Sequence, residues 1–225
     1  MKSWKSGESA AAKLLKDWWG VPFFRTPESG GMATSRHDSL PPSVVSNLVG
    51  DIVCDLRGPN LNPAVSFPFI SEVKAYAKIN LYALPRRGAF DIQPGSKPKD
   101  ENDLWLCWYQ AKIEAYRGNR WPLLLFKEDR KQWYVGFPTS PFLDLGYGDP
   151  PDLGGTIHLH RRVEALVFLN MAIMSWEKFA KTFPRERVER IAQTAINDGT
   201  LRPPERWVES VDLNVSAEVA TGNQL

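Results

Sequence analysis

Glu72-Val73-Lys74 follows the apolar run Phe67 to Ile70 and brings a carboxylate 21 residues after Asp51 of Gly50-Asp51-Ile52-Val53. In an extended strand side chains alternate, so Glu72 and Lys74 project from one face and Val73 from the other. A carboxylate and an ammonium then stand side by side. If Asp51 lies across from them, two carboxylates can hold Mg²⁺, with the Val73 carbonyl as an extra ligand, while Lys74 orients or helps deprotonate an attacking water. Phosphodiester hydrolysis needs those parts. Alone, Glu-x-Lys more often marks the solvated edge of a strand, so its company decides the reading.

Glu8 supplies part of that company. It lies in Ser6-Gly7-Glu8-Ser9, and Ala11, Ala12, Leu15 and Trp19 share a helical stripe with it at spacings of three, four, seven and eleven. This puts a carboxylate on the face that a helix buries. A plainer reading makes Glu8 a first-turn acid behind a Ser6 cap, complementing the helix dipole. The two are compatible.

Beyond the helix, Val21-Pro22-Phe23-Phe24 reads as a short strand entering the turn Arg25-Thr26-Pro27-Glu28-Ser29-Gly30-Gly31. Glycines permit close backbone approach, so their amides can face a phosphate while Arg25 offers a forked donor to its oxygens. A Gly-Glu helix start, an Arg-x-Pro-x-Ser-Gly-Gly turn, a Gly-Asp strand and a Glu-Val-Lys strand follow one another in this order. Over roughly residues 5 to 137 the chain thereby resembles the archaeal-type Holliday junction resolvases of the PD-(D/E)XK nuclease superfamily. The resemblance implies an α/β, restriction-endonuclease-like fold, a mixed central sheet flanked by helices. It makes Glu8, Asp51 and Glu72 metal-binding carboxylates, Lys74 the catalytic lysine, and Arg25, Ser29 and Gly30 a turn beside the scissile phosphate. Gln110 looks like the glutamine that several such enzymes place near the active site; a helix-surface glutamine is the equal alternative. Mg²⁺ is the implied cofactor, with Mn²⁺ able to substitute, and the implied partners are branched or four-way-junction DNA and a second copy of the chain. Two departures stand out: a longer insert from Met32 to Gly50, with Arg36, His37, Asp38 and Pro41-Pro42, and the long continuation past the last matching strand.

The 225 residues, 43% hydrophobic and with nine tryptophans, are enough for a sizeable core. Net charge is only +2, so a DNA-binding face must come from local clusters such as Arg86-Arg87, Lys97 with Lys99, Arg117 with Arg120, and Arg161-Arg162. Cys54 and Cys107 fit neither a zinc pattern nor a disulfide framework and read as reduced core residues. Met1 to Lys5 leads into the helix without a secretory apolar stretch, and no run is long enough to span a bilayer. An intracellular protein is expected, of a kind suited to a phage or mobile element.

After the Glu72 strand, Pro85 to Lys99 reads as a loop, and Asp100 to Gly118 as a helix with Leu104, Trp108, Ala111 and Ala115 on one face. Trp121 to Lys127 and Gln132 to Phe137 read as strands joined at Glu128-Asp129-Arg130, with Lys127 reaching the site in some topologies only. His158 and His160 share a strand face without an apparent third ligand. Arg162 to Met174 suggests one strand, Ser175 caps the next helix, and Pro184 to Asn197 suggests a last helix whose apolar face serves lateral packing or dimerisation. This predicts a nuclease core over 1–140, a packed extension over 141–208 and a flexible tail over 209–225.

Three functions fit these residues. One is junction resolution in DNA recombination and repair; another is a nuclease of the same fold acting on flaps, ends or specific duplex DNA. A third is a non-catalytic DNA-binding or scaffolding protein, against which the presence of Glu8, Asp51, Glu72 and Lys74 together argues.

Overall fold

The computed structural model of the chain describes residues 4–26, 50–54, 67–76, 104–142, 157–164 and 167–199. Helix α1 spans Trp4–Trp19 and leads to strand β1, Phe23–Arg25; β2 is Ile52–Cys54 and β3 is Phe69–Tyr76. Helix α2, Leu104–Arg117, crosses to β4, Trp121–Glu128, followed by β5, Trp133–Phe137. Strands β6, Ile157–Glu164, and β7, Val167–Ser175, precede helices α3, Trp176–Thr182, and α4, Arg185–Asn197. The strands form one sheet in the order β1-β2-β3-β4-β5-β7-β6. Only β3 and β4 pair in parallel among the described strands, because α2 carries the chain back between them; the remaining pairs are antiparallel. This is the mixed, helix-flanked sheet that the residue pattern predicts.

Alternation along the strands sorts side chains into two apolar layers. Phe69, Val73, Leu123, Leu125, Val135, Phe137, Ala172 and Met174 face one way and pack with residues of α1, α3 and α4. Leu124, Phe126, Met171 and Ile173 face the other way and are covered by Leu104, Cys107, Trp108 and Ala111 of α2. The central strand β4 is buried over its first six residues, as expected of a strand covered on both faces. Pro122 fits there because β5 begins to pair only at Leu124, leaving no ladder bond from β5 for the missing N–H to break.

The sequence-predicted stripe of α1 is buried in full at Ala11, Ala12, Leu15 and Trp19. Gly7 lets the helix come close to β3, since a Cβ there would stand 2.9 Å from Ala75 Cβ. The far end of α1 is tied to the C-terminal helices. Trp18 Nε1 donates to the Phe183 carbonyl at 3.0 Å, and Arg185 donates to the Trp19 carbonyl at 2.8 Å while lying over the Trp19 ring. Val188, Ile191, Ala192 and Ala195 of α4 are consumed in this same core, so that stripe packs within the chain and does not offer a dimer face.

Several local expectations change. Helix α1 begins at Trp4, so Ser6 is inside the helix and Glu8 lies in its second turn; the first-turn reading of Glu8 does not hold. The run from Arg162 to Met174 is not one strand. It divides between β6 and β7, which pair antiparallel with a bulge between Arg162 and Glu164. Ser175 does cap α3, its Oγ accepting from Lys178 N at 3.3 Å, and Cys54 and Cys107 are buried thiols that form no disulfide. Among the described residues no helix is long and apolar enough to cross a membrane.

Candidate active site

Asp51 is placed by backbone bonds to strands on both sides. Its N–H donates to the Ser71 carbonyl at 2.9 Å, and its carbonyl accepts from Thr26 N at 3.0 Å. Thr26 Oγ1 also donates to the Gly50 carbonyl at 2.6 Å. Gly50 adopts φ +92°, and a Cβ there would lie 2.9 Å from Ile70 Cγ2 and 3.0 Å from the Ser71 carbonyl oxygen. Only glycine suits both the dihedral and the space. Gly50→Ala is therefore expected to destabilise the fold by about 1–3 kcal/mol and to displace the adjoining carboxylate, as read by thermal melts beside cleavage rates. A wild-type Tm in that variant would remove this account of the turn.

The Asp51 side chain then crosses to β3, where Oδ2 accepts from Val73 N at 2.9 Å. A strand residue directs its N–H and C=O to the same side, so the Val73 carbonyl also faces the Asp51 edge. Glu72 and Lys74 project from the α2 face of β3, and Lys74 Nζ donates to Glu72 Oε1. Glu8 reaches the site from α1 and accepts from Arg25 Nε. Residue exposures of 3% for Glu8, 5% for Asp51 and 1% for Glu72 place these carboxylates in a water-poor cleft.

That burial dominates their titration. Desolvation pushes Asp51 up to about 8, reinforced by the neighbouring Glu72 and Glu8 charges and opposed by the Val73 N–H and by Lys74. Glu72 is also raised, by burial and then by a carboxylate on α2, Glu114, with Lys74 opposing. For Lys74, burial alone would favour the neutral amine, but Glu72 and Asp51 together outweigh it and hold the ammonium charged.

Glu114 is a site residue that the sequence reading passed over. It is buried, its charge acts on Glu72, and its own carboxyl is raised by burial and by Asp51, with the Gln110 hydrogen bond, Lys74 and Arg117 opposing. A signal existed: Leu104, Cys107, Ala111 and Glu114 lie at spacings of zero, three, seven and ten, so Glu114 occupies the apolar stripe as Glu8 does on α1. Gln110 is exposed, and its amide reaches the cluster only through Glu114, donating to Oε1 at 3.2 Å.

The structure thus brings Glu8, Asp51, Glu72, Val73, Lys74 and Arg25 to one end of the β1-β2-β3 edge. Ser29 and Gly30 lie outside the described residues, as do Arg86, Arg87, Lys97, Lys99 and the Met32 to Val49 part of the insert. Lys127 is on the opposite face of the sheet, in alternation with Leu123 and Leu125, and lies over the Trp133 ring; the β3–β4 register separates it from the site. Arg120 is buried and so is not a surface phosphate contact, despite its nearness in sequence to Arg117. His158 and His160 belong to β6, at the far edge of the sheet from the acids.

Among the described residues, no three acidic, histidine or cysteine side chains already stand as a metal-ligand set. The reason is visible in the ion pairs: Arg25 holds Glu8 and Lys74 holds Glu72. The donor chemistry nonetheless suits a hard divalent cation, because four buried carboxylates, Glu8, Asp51, Glu72 and Glu114, lie close together, and among the described residues Arg25 and Lys74 are ion-paired to two of them while Arg117 acts on Glu114. Such an excess of buried negative charge is costly unless a proton or a cation neutralises it.

Comparison with known proteins points to a nuclease. Residues 4–93 match a family described as "Phage putative PDDEXK endonuclease". Protein D14 of Escherichia phage T5 is 26% identical over 141 residues, 62% of this chain and 72% of that protein. No solved structure matches significantly. The family match supports the PD-(D/E)XK superfamily and a nuclease, and it spans Glu8, Arg25, Asp51, Glu72 and Lys74.

Proposed function

We propose that this protein is a metal-dependent DNA endonuclease that hydrolyses phosphodiesters at the Glu8, Asp51, Glu72 and Lys74 cluster. The observation that carries this reading is the bond from Val73 N to Asp51 Oδ2, which fixes a carboxylate from one strand beside the Glu72–Lys74 pair of the next. Asp51, Glu72 and the Val73 carbonyl would hold Mg²⁺, or Mn²⁺ in its place, with Glu8 contributing once Arg25 releases it. A bound divalent cation supplies charge neutralisation for the phosphate and lowers the pKa of an attacking water.

The remaining work falls to the chain's own groups. With Glu72 among the groups that would hold the cation, the Lys74 ammonium would be free to orient the nucleophile and offset the charge that develops on the phosphate. Arg25, released from Glu8, offers a forked donor to a non-bridging phosphate oxygen. Burial of the carboxylates keeps bulk water from competing for these contacts.

For the substrate, the likeness of residues 5 to 137 to junction resolvases favours a four-way junction cut by a two-fold dimer, because symmetric cleavage needs two sites. The test is cleavage of labelled four-way junction, flap, linear duplex and single-stranded DNA with Mg²⁺, beside an Asp51→Ala control. Symmetric nicking confined to the junction is the expected result. Cutting of the other substrates instead would keep the chemistry and discard resolution, and binding without any cleavage would favour a scaffold.

A further inference from the structure

We infer that Glu114 is a further cation-binding carboxylate of this site, carried on α2 and unassigned by the motif order that identifies Glu8, Asp51 and Glu72; the inference rests on the nuclease reading above. Its geometry differs from that of the other acids. Glu8 is held by Arg25, Glu72 by Lys74, and Asp51 by Val73 N. Glu114 Oε1 takes the Gln110 amide at 3.2 Å, but its Oε2 is buried and has no hydrogen-bond partner among the described residues. At 6% exposure water cannot freely serve that oxygen.

A buried carboxylate oxygen left unpaired costs free energy, and structural acids in cores are normally satisfied. Here the strongest neighbouring charges on the carboxyl side are other carboxylates: Glu72 feels Glu114, and Glu114 feels Asp51. Two cations offset this in part: Lys74, whose ammonium is bonded to Glu72, and Arg117 both act on Glu114 by charge, and neither supplies a hydrogen bond to Oε2. Hard divalent cations seek oxygen ligands of this kind, and a cation that Glu114 helped to hold would satisfy Oε2 while relieving the repulsion among the acids. Gln110 then acts as a positioning residue, since its amide fixes which Glu114 oxygen is left without a hydrogen bond.

The test uses the full chain and Mn²⁺ alone, without DNA, read by isothermal titration and by the cation-induced rise in Tm. Glu114→Gln keeps the size and the Gln110 contact but removes the charge. It is expected to weaken Mn²⁺ binding by about tenfold or more, to reduce the Mn²⁺-induced rise in Tm, and to raise the Tm of the metal-free protein by relieving repulsion. A merely structural acid would instead lose stability with and without the cation. Glu114→Asp retains the charge on a shorter arm and is expected to bind Mn²⁺ more weakly than wild type without that metal-free gain, which keeps the test usable should the glutamine variant fold poorly. Wild-type Mn²⁺ affinity in both variants would overturn the role of Glu114 while leaving the nuclease reading intact. A wild-type protein that takes up no Mn²⁺, in common with Asp51→Asn, would overturn both.

Discussion

Lys74→Ala is expected to lower cleavage by about 10²- to 10⁴-fold while DNA affinity, measured by fluorescence anisotropy without metal, changes only a few-fold. The separation follows from where the ammonium sits. It is half-buried and ion-paired to the buried Glu72, and its charge is maintained by Glu72 and Asp51 against the burial that opposes it. A group so placed contributes little to holding a long polyanion, whose affinity comes from many surface contacts. It contributes at the phosphate undergoing reaction, where charge develops in a site of low dielectric. Loss of the lysine also leaves Glu72 without its partner, so the rate comparison belongs beside circular dichroism and a Tm for each variant. A well-folded Lys74→Ala protein that cuts at the wild-type rate in single-turnover assays would remove the lysine from the mechanism.

Asp51→Asn is expected to move activity and metal-free stability in opposite directions. Cleavage should fall by at least about 10³-fold, because a neutral amide replaces the carboxylate proposed to hold the divalent cation. Metal-free stability at pH 8 should rise. The folded protein raises the Asp51 pKa from an ordinary 3.8 to about 8, through burial first and the Glu72 and Glu8 charges after it. Between those values the folded state binds more protons than the unfolded chain, so the stability that Asp51 contributes is full below about pH 4 and is lost as pH climbs toward 8. Glu72 and Glu114 are raised as well and act in the same direction. The wild-type metal-free Tm should accordingly decline between pH 5 and pH 8, and Asp51→Asn should flatten that decline by several degrees at its upper end. Saturating Mg²⁺ should restore the wild-type protein with release of protons and do far less for the variant. Parallel Tm profiles for the two metal-free proteins would refute the raised Asp51 carboxyl.

Stability forgone at the cleft is typical of functional sites, and the rest of the molecule offsets it. The α1 stripe, the aromatic contacts of Trp18, Trp19, Phe67 and Phe69, and the closure of α3 and α4 over the same sheet face supply a continuous apolar layer behind the acids. Strand β3 has one face in that layer and the other toward α2, which is why Val73 can pack while its neighbours Glu72 and Lys74 form their ion pair on the other face.

Local periodicity carried much of this into the sequence. A period of two along Glu72-Val73-Lys74 put the carboxylate and the ammonium on one face, and a period near 3.6 from Glu8 to Trp19 put an acid on a buried stripe. The same rule reached the burial of Leu104, Trp108, Ala111 and Ala115 on α2, and the Ser175 cap. What periodicity does not carry is which faces meet. Register between β3 and β4 sends Lys127 to the far side of the sheet, the turn after α2 buries Arg120, and β7 enters the sheet between β5 and β6. Nor could spacing alone say that Gly50 lifts Asp51 onto the Val73 amide, or that Glu114, more than forty residues past Glu72, comes from α2 to act on its charge. By itself the sequence determined the elements and the chemical types on each of their faces, because those depend on neighbours along the chain. Only the tertiary structure decided which carboxylates share one dry volume and which cations hold them, because burial and charge coupling depend on neighbours in space.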